Sequence, residues 1–110
     1  MANDFDALTQ KVKAFVDERD WDQFHNPKDL ALALSIEASE LNEAFLWKNS
    51  QDAKPEKIKE ELADVLIYAI LLARKYGFII PEIVADKLAK NAVKYPVEKA
   101  KGCSKKYNEL

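Results

Sequence analysis

Four carboxylates carry the strongest chemical signal in this sequence. Glu37 and Glu40 stand three residues apart, and so do Glu61 and Asp64. On an α-helix, residues at that spacing project from one face. Acids so spaced ordinarily mark a solvated surface, but these four stand in apolar register. Leu30, Ala33, Leu34, Leu41 and Ala44 form an i, i+3, i+4 stripe, and its missing position is Glu37. Glu40 follows one turn later on the same side. In the next apolar segment Ile58, Leu62, Val65, Ala69 and Leu72 make the stripe, with Glu61 at its edge. Asp64 is the only charged residue between Leu62 and Ala73.

A carboxylate withdrawn from water without a partner is strongly disfavoured, and four together repel one another. A divalent cation among them resolves both problems. Ligation by oxygen alone, with no histidine or cysteine at matching spacing, favours Mg²⁺ or Mn²⁺ over zinc. A di-iron centre normally needs Glu-x-x-His pairs on two helices. This chain has one histidine, His25, in a loop-like stretch. The competing reading is a structural helical oligomer whose acids pair with lysines. Its stability would ignore added metal.

These acids need helices to hold them, and the punctuation of the chain supplies four. Pro27, Pro55 and Pro81 each precede a segment of helical period, where a missing N–H does no harm. Asn26 is a natural N-cap, and Gly77 after Arg74-Lys75-Tyr76 marks a helix end. The first helix is expected from about Asp4 to Arg19, with Phe5, Leu8, Val12 and Phe15 on one stripe. The second runs from about Lys28 to Trp47, the third from Glu56 to Tyr76 and the fourth from Glu82 to Lys94. The connection Lys48 to Lys54 is long enough to lay the second and third helices antiparallel, so that the acid pairs face each other. The lysine-rich tail from about 95 to 110 is expected to be irregular.

Composition agrees with this all-α reading. Only two glycines occur in 110 residues, which argues against a many-turned β fold. The length fits one domain over residues 1–110. A chain so short has little interior for a deep cleft, which favours oligomerisation as the way to build a pocket. A net charge of −2 carries no signature of nucleic-acid binding. The longest apolar stretch, residues 62–73, is too short to span a membrane and contains Asp64. With one cysteine, Cys103, and no apolar leader at the start, a cytoplasmic protein is expected.

The pattern Glu37-x-x-Glu40 followed by Glu61-x-x-Asp64 resembles the signature of the MazG-like, all-α nucleotide pyrophosphohydrolases. Further blocks resemble the dCTP pyrophosphatase subgroup: Arg19 to His25, Glu60 to Tyr68, Lys90 to Pro96, and Lys101 to Leu110. The likeness covers roughly residues 12 to 110. It implies a four-helix bundle-like fold that assembles into dimers or tetramers. It also implies hydrolysis of a deoxynucleoside triphosphate between the α and β phosphates, releasing the monophosphate and pyrophosphate. Glu37, Glu40, Glu61 and Asp64 would bind Mg²⁺, and one glutamate would serve as general base. A cytosine nucleotide is the leading substrate; broader or dATP selectivity, or nucleotide binding without turnover, are the alternatives.

Other residues then become candidates for holding the nucleotide. Lys90, Asn91 and Lys94 recur along one side of the fourth helix, with Tyr95 after them, and could meet the triphosphate. Lys87 on the same side reads as plain surface. Trp21, His25 and Trp47 are the candidate base pocket, offering flat rings and hydrogen bonds to a base edge. On a continuous helix Trp47 would lie on the order of 10 Å beyond Glu40, a suitable distance from phosphate to base. Tyr68 stands one turn after Asp64, placed either to contact the sugar or to pack beneath the site.

Overall fold

The caps expected from the sequence set the frame of the fold. A computed structural model describes residues 4–110, and these are helical with no strand among them. Helix α1 spans Asp4–Glu18 and α2 spans Pro27–Glu43. Asn26 caps α2: its side-chain oxygen accepts the Asp29 N–H at 2.9 Å, while Pro27 takes the first helical position. Helix α3 spans Pro55–Tyr76 and stops where Gly77 adopts φ +69°, the left-handed cap that glycine takes without steric penalty. Helix α4 spans Ile80–Lys94.

The chain forms two compact units, one ending at Gly77 and one spanning Phe78–Leu110. In the first, α2 and α3 pack as a hairpin and α1 lies against α3. The hairpin is antiparallel, because Lys75 near the end of α3 reaches Asp22 just before α2. Its core is small: Val12, Val16, Leu30, Ala44, Ile70, Leu71 and Ala73 are buried. Leu30 is fully enclosed, worth roughly 1.5–3 kcal/mol for such a side chain. Much apolar surface stays exposed, including Leu8, Phe15, Leu32, Ile36, Leu62 and Leu66. Leu8, Val12, Phe15 and Ile67 line an apolar groove of about 260 Å³.

Two expectations need correction. Helix α2 does not run on to Trp47. From Phe45 to Lys48 the backbone tightens into i→i+3 bonds, such as Phe45 N–H to Asn42 O and Leu46 N–H to Glu43 O. Trp47 itself takes φ +63°, the conformation usually left to a glycine after a helix. No glycine marks the spot, so no stop signal is legible there. On α3 the buried arc is also turned from the expected stripe. Leu62 is exposed, whereas Glu61 is the buried charged side chain. Residues 62–73 are apolar almost throughout, so periodicity could not say which arc would face α2.

In the second unit, α4 leads into two short helical turns, α5 (Val97–Ala100) and Tyr107–Glu109. Between them lie a turn at 101–102 and an irregular stretch at 103–106. The tail folds back locally. The Tyr95 and Tyr107 rings meet edge to face at 6.2 Å, and the Lys94 ammonium sits 4.9 Å from the centre of the Tyr107 ring.

Candidate metal centre

Glu37 projects from the middle of α2, while Glu61 and Asp64 lie one turn apart on α3. The antiparallel hairpin brings the three together: one carboxylate oxygen from each lies within 4.8 Å of the other two. Glu61 is buried, and Glu37 and Asp64 are half-buried. Three carboxylates so close, with so little water, strongly oppose simultaneous ionisation. The strain shows at Glu37, whose carboxyl is held above its ordinary pKa. Desolvation is the largest cause; hydrogen bonding to Glu40 and the charges of Glu40, Asp64 and Glu61 follow.

Two oxygens of the cluster, Glu37 Oε2 and Glu61 Oε2, are buried with no hydrogen-bond partner. A buried, unsatisfied carboxylate oxygen is costly, and a cation between the helices would satisfy both. The donor set is entirely carboxylate oxygen, which fits a hard divalent ion. Glu40 stands outside the triad. It helps to raise the Glu37 pKa and lines an adjoining cavity of about 580 Å³. Glu61 has a protein partner at its other oxygen, where Lys57 Nζ lies 2.7 Å from Oε1. Glu61 raises the pKa of Lys57 in turn, chiefly through this hydrogen bond. Lys57 stands one turn before an acid on the same helix, a spacing from which this partner is predictable.

The other candidates are scattered more widely. Tyr68 is half-buried on α3. Trp21 and His25 sit in the connection before α2. There the Trp21 ring packs edge to face on Phe15 at 5.8 Å, and His25 Nδ1 is buried without a partner. Trp47 follows the other end of α2 and is 93% exposed. The 17 residues of α2 separate Trp21 and His25 from Trp47 by about 25 Å. These three therefore make no common pocket within one chain, contrary to expectation. Lys90, Asn91, Lys94 and Tyr95 all belong to the second unit, where Lys90 and Lys94 are exposed and Asn91 and Tyr95 half-buried.

Comparison with known proteins bears on this hairpin directly. The family model described as the MazG-like family matches residues 32–110, which takes in every acid of the site. The chain belongs to the MazG-like family. Within reach of that family, it is 40% identical over 104 residues to dCTP pyrophosphatase 1 of Mus musculus and 41% identical over 104 residues to that of Homo sapiens. In both cases the match takes in 87% of this chain and 61% of the relative, so the chain spans under two thirds of their length. Among solved structures, a pyrophosphatase from Archaeoglobus fulgidus DSM 4304 superposes with a TM-score of 0.81 at 36% identity. That alignment covers 87% of this chain and 95% of the other. No helix among the described residues of this MazG-like chain is long and apolar enough to cross a membrane.

Proposed function

We propose that this chain is a Mg²⁺-dependent nucleoside triphosphate pyrophosphohydrolase that converts a deoxynucleoside triphosphate, dCTP in preference, to its monophosphate and pyrophosphate. The observation that carries the reading is the meeting of Glu37, Glu61 and Asp64 within 4.8 Å, with buried oxygens on two of them unpartnered. The names of the relatives, dCTP pyrophosphatase 1 and a pyrophosphatase, supply the reaction class and the base.

Glu37, Glu61 and Asp64 would hold the ion, with Glu40 completing the set from its place beside Glu37. A bound divalent ion supplies charge neutralisation at the phosphates and acidifies a water. The carboxylates fix the site on two packed helices rather than on a loop, which keeps its geometry stiff. Glu40 helps to raise the Glu37 pKa, and one glutamate of that pair is assigned to accept the proton of the attacking water as the α–β anhydride opens. Lys90, Asn91 and Lys94 on α4, with Tyr95, are assigned to the phosphates, and Tyr68 to the sugar.

Trp21, His25 and Trp47 remain assigned to the base, under one condition. Since α2 separates them in a single chain, a pocket using all three takes Trp47 from one copy and Trp21 with His25 from another. The exposed apolar surface of α1 to α3 favours such a homodimer or homotetramer.

The test is to incubate the purified protein with dCTP, with and without Mg²⁺, and separate the products by ion exchange. Glu40→Gln and Asp64→Asn run in parallel. The expected result is dCMP and pyrophosphate from the unsubstituted protein with metal only. Formation of dCDP and phosphate would overturn the reaction class. Equal rates across a panel of bases would overturn the preference for cytosine.

A further inference from the structure

The cavity beside the triad has an unusual wall for an acidic site. It opens where α2 gives way to α3, and its lining combines Glu40, Glu43 and Glu61 with Lys48, Lys54 and Lys57. Its volume, about 580 Å³, lies in the range of roughly 300–1,000 Å³ usual for small-ligand pockets. The acids come from the two helices. Lys48 and Lys54 belong to the connection between them, and Lys57 stands in the first turn of α3. The formal charges of these six residues cancel. Carboxylates by themselves would repel a polyphosphate, whereas ammonium groups on the same wall attract it.

Lys57 links the two halves of this wall. Its ammonium holds Glu61 Oε1 at 2.7 Å, while Glu61 Oε2 is buried and unpartnered. The Glu61 side chain is only 8% exposed, but that of Lys57 is 56% exposed. The carboxylate is thus fixed in the fold, and the ammonium rides on a flexible, solvated stem. Such a stem can swing without disturbing the core. A divalent ion entering the triad competes with Lys57 for Glu61, since both are cations drawn to the same carboxylate. A displaced Lys57 ammonium remains in the cavity it already lines.

We propose that Lys57 is an exchangeable counter-cation. It neutralises Glu61 in the metal-free protein; when metal takes that carboxylate, Lys57 turns into the cavity and, with Lys48 and Lys54, holds the pyrophosphate half of the substrate. The inference rests on the pyrophosphohydrolase reading and adds the residues that receive the leaving group. It also makes metal and pyrophosphate binding mutually reinforcing, because coupling between two sites is reciprocal.

Calorimetric titration of the full chain tests this, with Mn²⁺ alone and then with pyrophosphate at saturating Mg²⁺. Lys57→Met removes the competitor and one phosphate ligand together. It should bind Mn²⁺ about tenfold more tightly and pyrophosphate about tenfold more weakly, the scale of one charge-assisted hydrogen bond. Lys48→Met and Lys54→Met should weaken pyrophosphate and leave Mn²⁺ affinity unchanged, and Lys57→Arg should resemble the unsubstituted protein. A merely structural Lys57 would not move the two affinities in opposite directions. Unchanged or weaker Mn²⁺ binding by Lys57→Met, or unchanged pyrophosphate binding, overturns the proposal and leaves the enzyme reading intact. Failure of the unsubstituted protein to bind Mn²⁺ overturns both. Far-UV circular dichroism checks that each variant is folded.

Discussion

Lys75 Nζ lies 2.9 Å from Asp22 Oδ1, although 53 residues separate them in sequence. The bond ties the end of α3 to the approach of α2 and so pins the antiparallel register. The same register sets Glu37 opposite Glu61 and Asp64. Lys75 holds the Asp22 carboxyl below its ordinary pKa, principally through this hydrogen bond. A lowered carboxyl contributes stability above its unfolded pKa and loses it as pH falls through the folded value. Lys75→Met should therefore lower the urea midpoint slightly at neutral pH and lose that effect in acid. Urea melts at both pH values check it, and an equal deficit at both would argue against the pair.

The acid triad should make the metal-free fold less stable than it could be. Glu37→Leu removes a crowded carboxyl from the α2–α3 seam. It should raise the stability of the metal-free protein by on the order of 1 kcal/mol, as replacement of buried charge often does. The same variant should lose stabilisation by Mg²⁺ and lose turnover. Thermal melts with and without metal measure both halves. A destabilised metal-free variant would show that Glu37 serves the fold.

Loss of a metal ligand should appear in the chemical step. If the ion is worth several kcal/mol at the phosphates, Asp64→Asn should reduce kcat by on the order of 100-fold, at tenfold per 1.36 kcal/mol. Far-UV circular dichroism should be unchanged, because Asp64 is half-buried and its amide is isosteric. Steady-state rates at saturating Mg²⁺ decide the matter.

Stability and metal binding should respond to pH in opposite senses. The Glu37 carboxyl is raised above its ordinary value, chiefly by desolvation. The folded chain therefore keeps that proton longer than the unfolded chain does. Its contribution is complete below the unfolded pKa and is lost as pH rises through the folded one. Metal must displace the same proton, so its affinity should rise across that window. Melts from acid to neutral pH, with and without Mg²⁺, should diverge upward through the range just above ordinary carboxylates.

Trp47 offers a clean separation of binding from folding. Its ring is 93% exposed and its φ is +63°. Trp47→Gly relieves an unfavourable backbone conformation and should cost no stability. If the ring stacks on the base, KM should rise about tenfold, since one stacking contact is worth roughly 1–3 kcal/mol. Unchanged KM would remove Trp47 from the nucleotide site. Light scattering of the unsubstituted protein tests the accompanying expectation of a homodimer or homotetramer.

The sequence by itself determined the helices and the chemistry they carry. Asn26-Pro27, Pro55 and Gly77 set the ends of α2 and α3 through local rules: a capping oxygen, a proline without N–H, and a glycine free to turn left-handed. Acids in apolar register were legible because a helix repeats every 3.6 residues, and the requirement that something neutralise them follows from electrostatics. Tertiary structure decided which acids meet. Glu37, Glu61 and Asp64 form the triad and Glu40 lies beside it, because facing depends on how two helices roll against each other. The apolar arc of α3 is too broad for spacing to reveal that roll. Lys57 reaches Glu61 at the local i,i+4 spacing on α3, but packing buried that carboxylate. Packing also ended α2 at Glu43, so that Trp47 stands clear of the helix at the far end from Trp21 and His25. Local propensity is written residue by residue, whereas contact between distant residues exists only after the chain has folded.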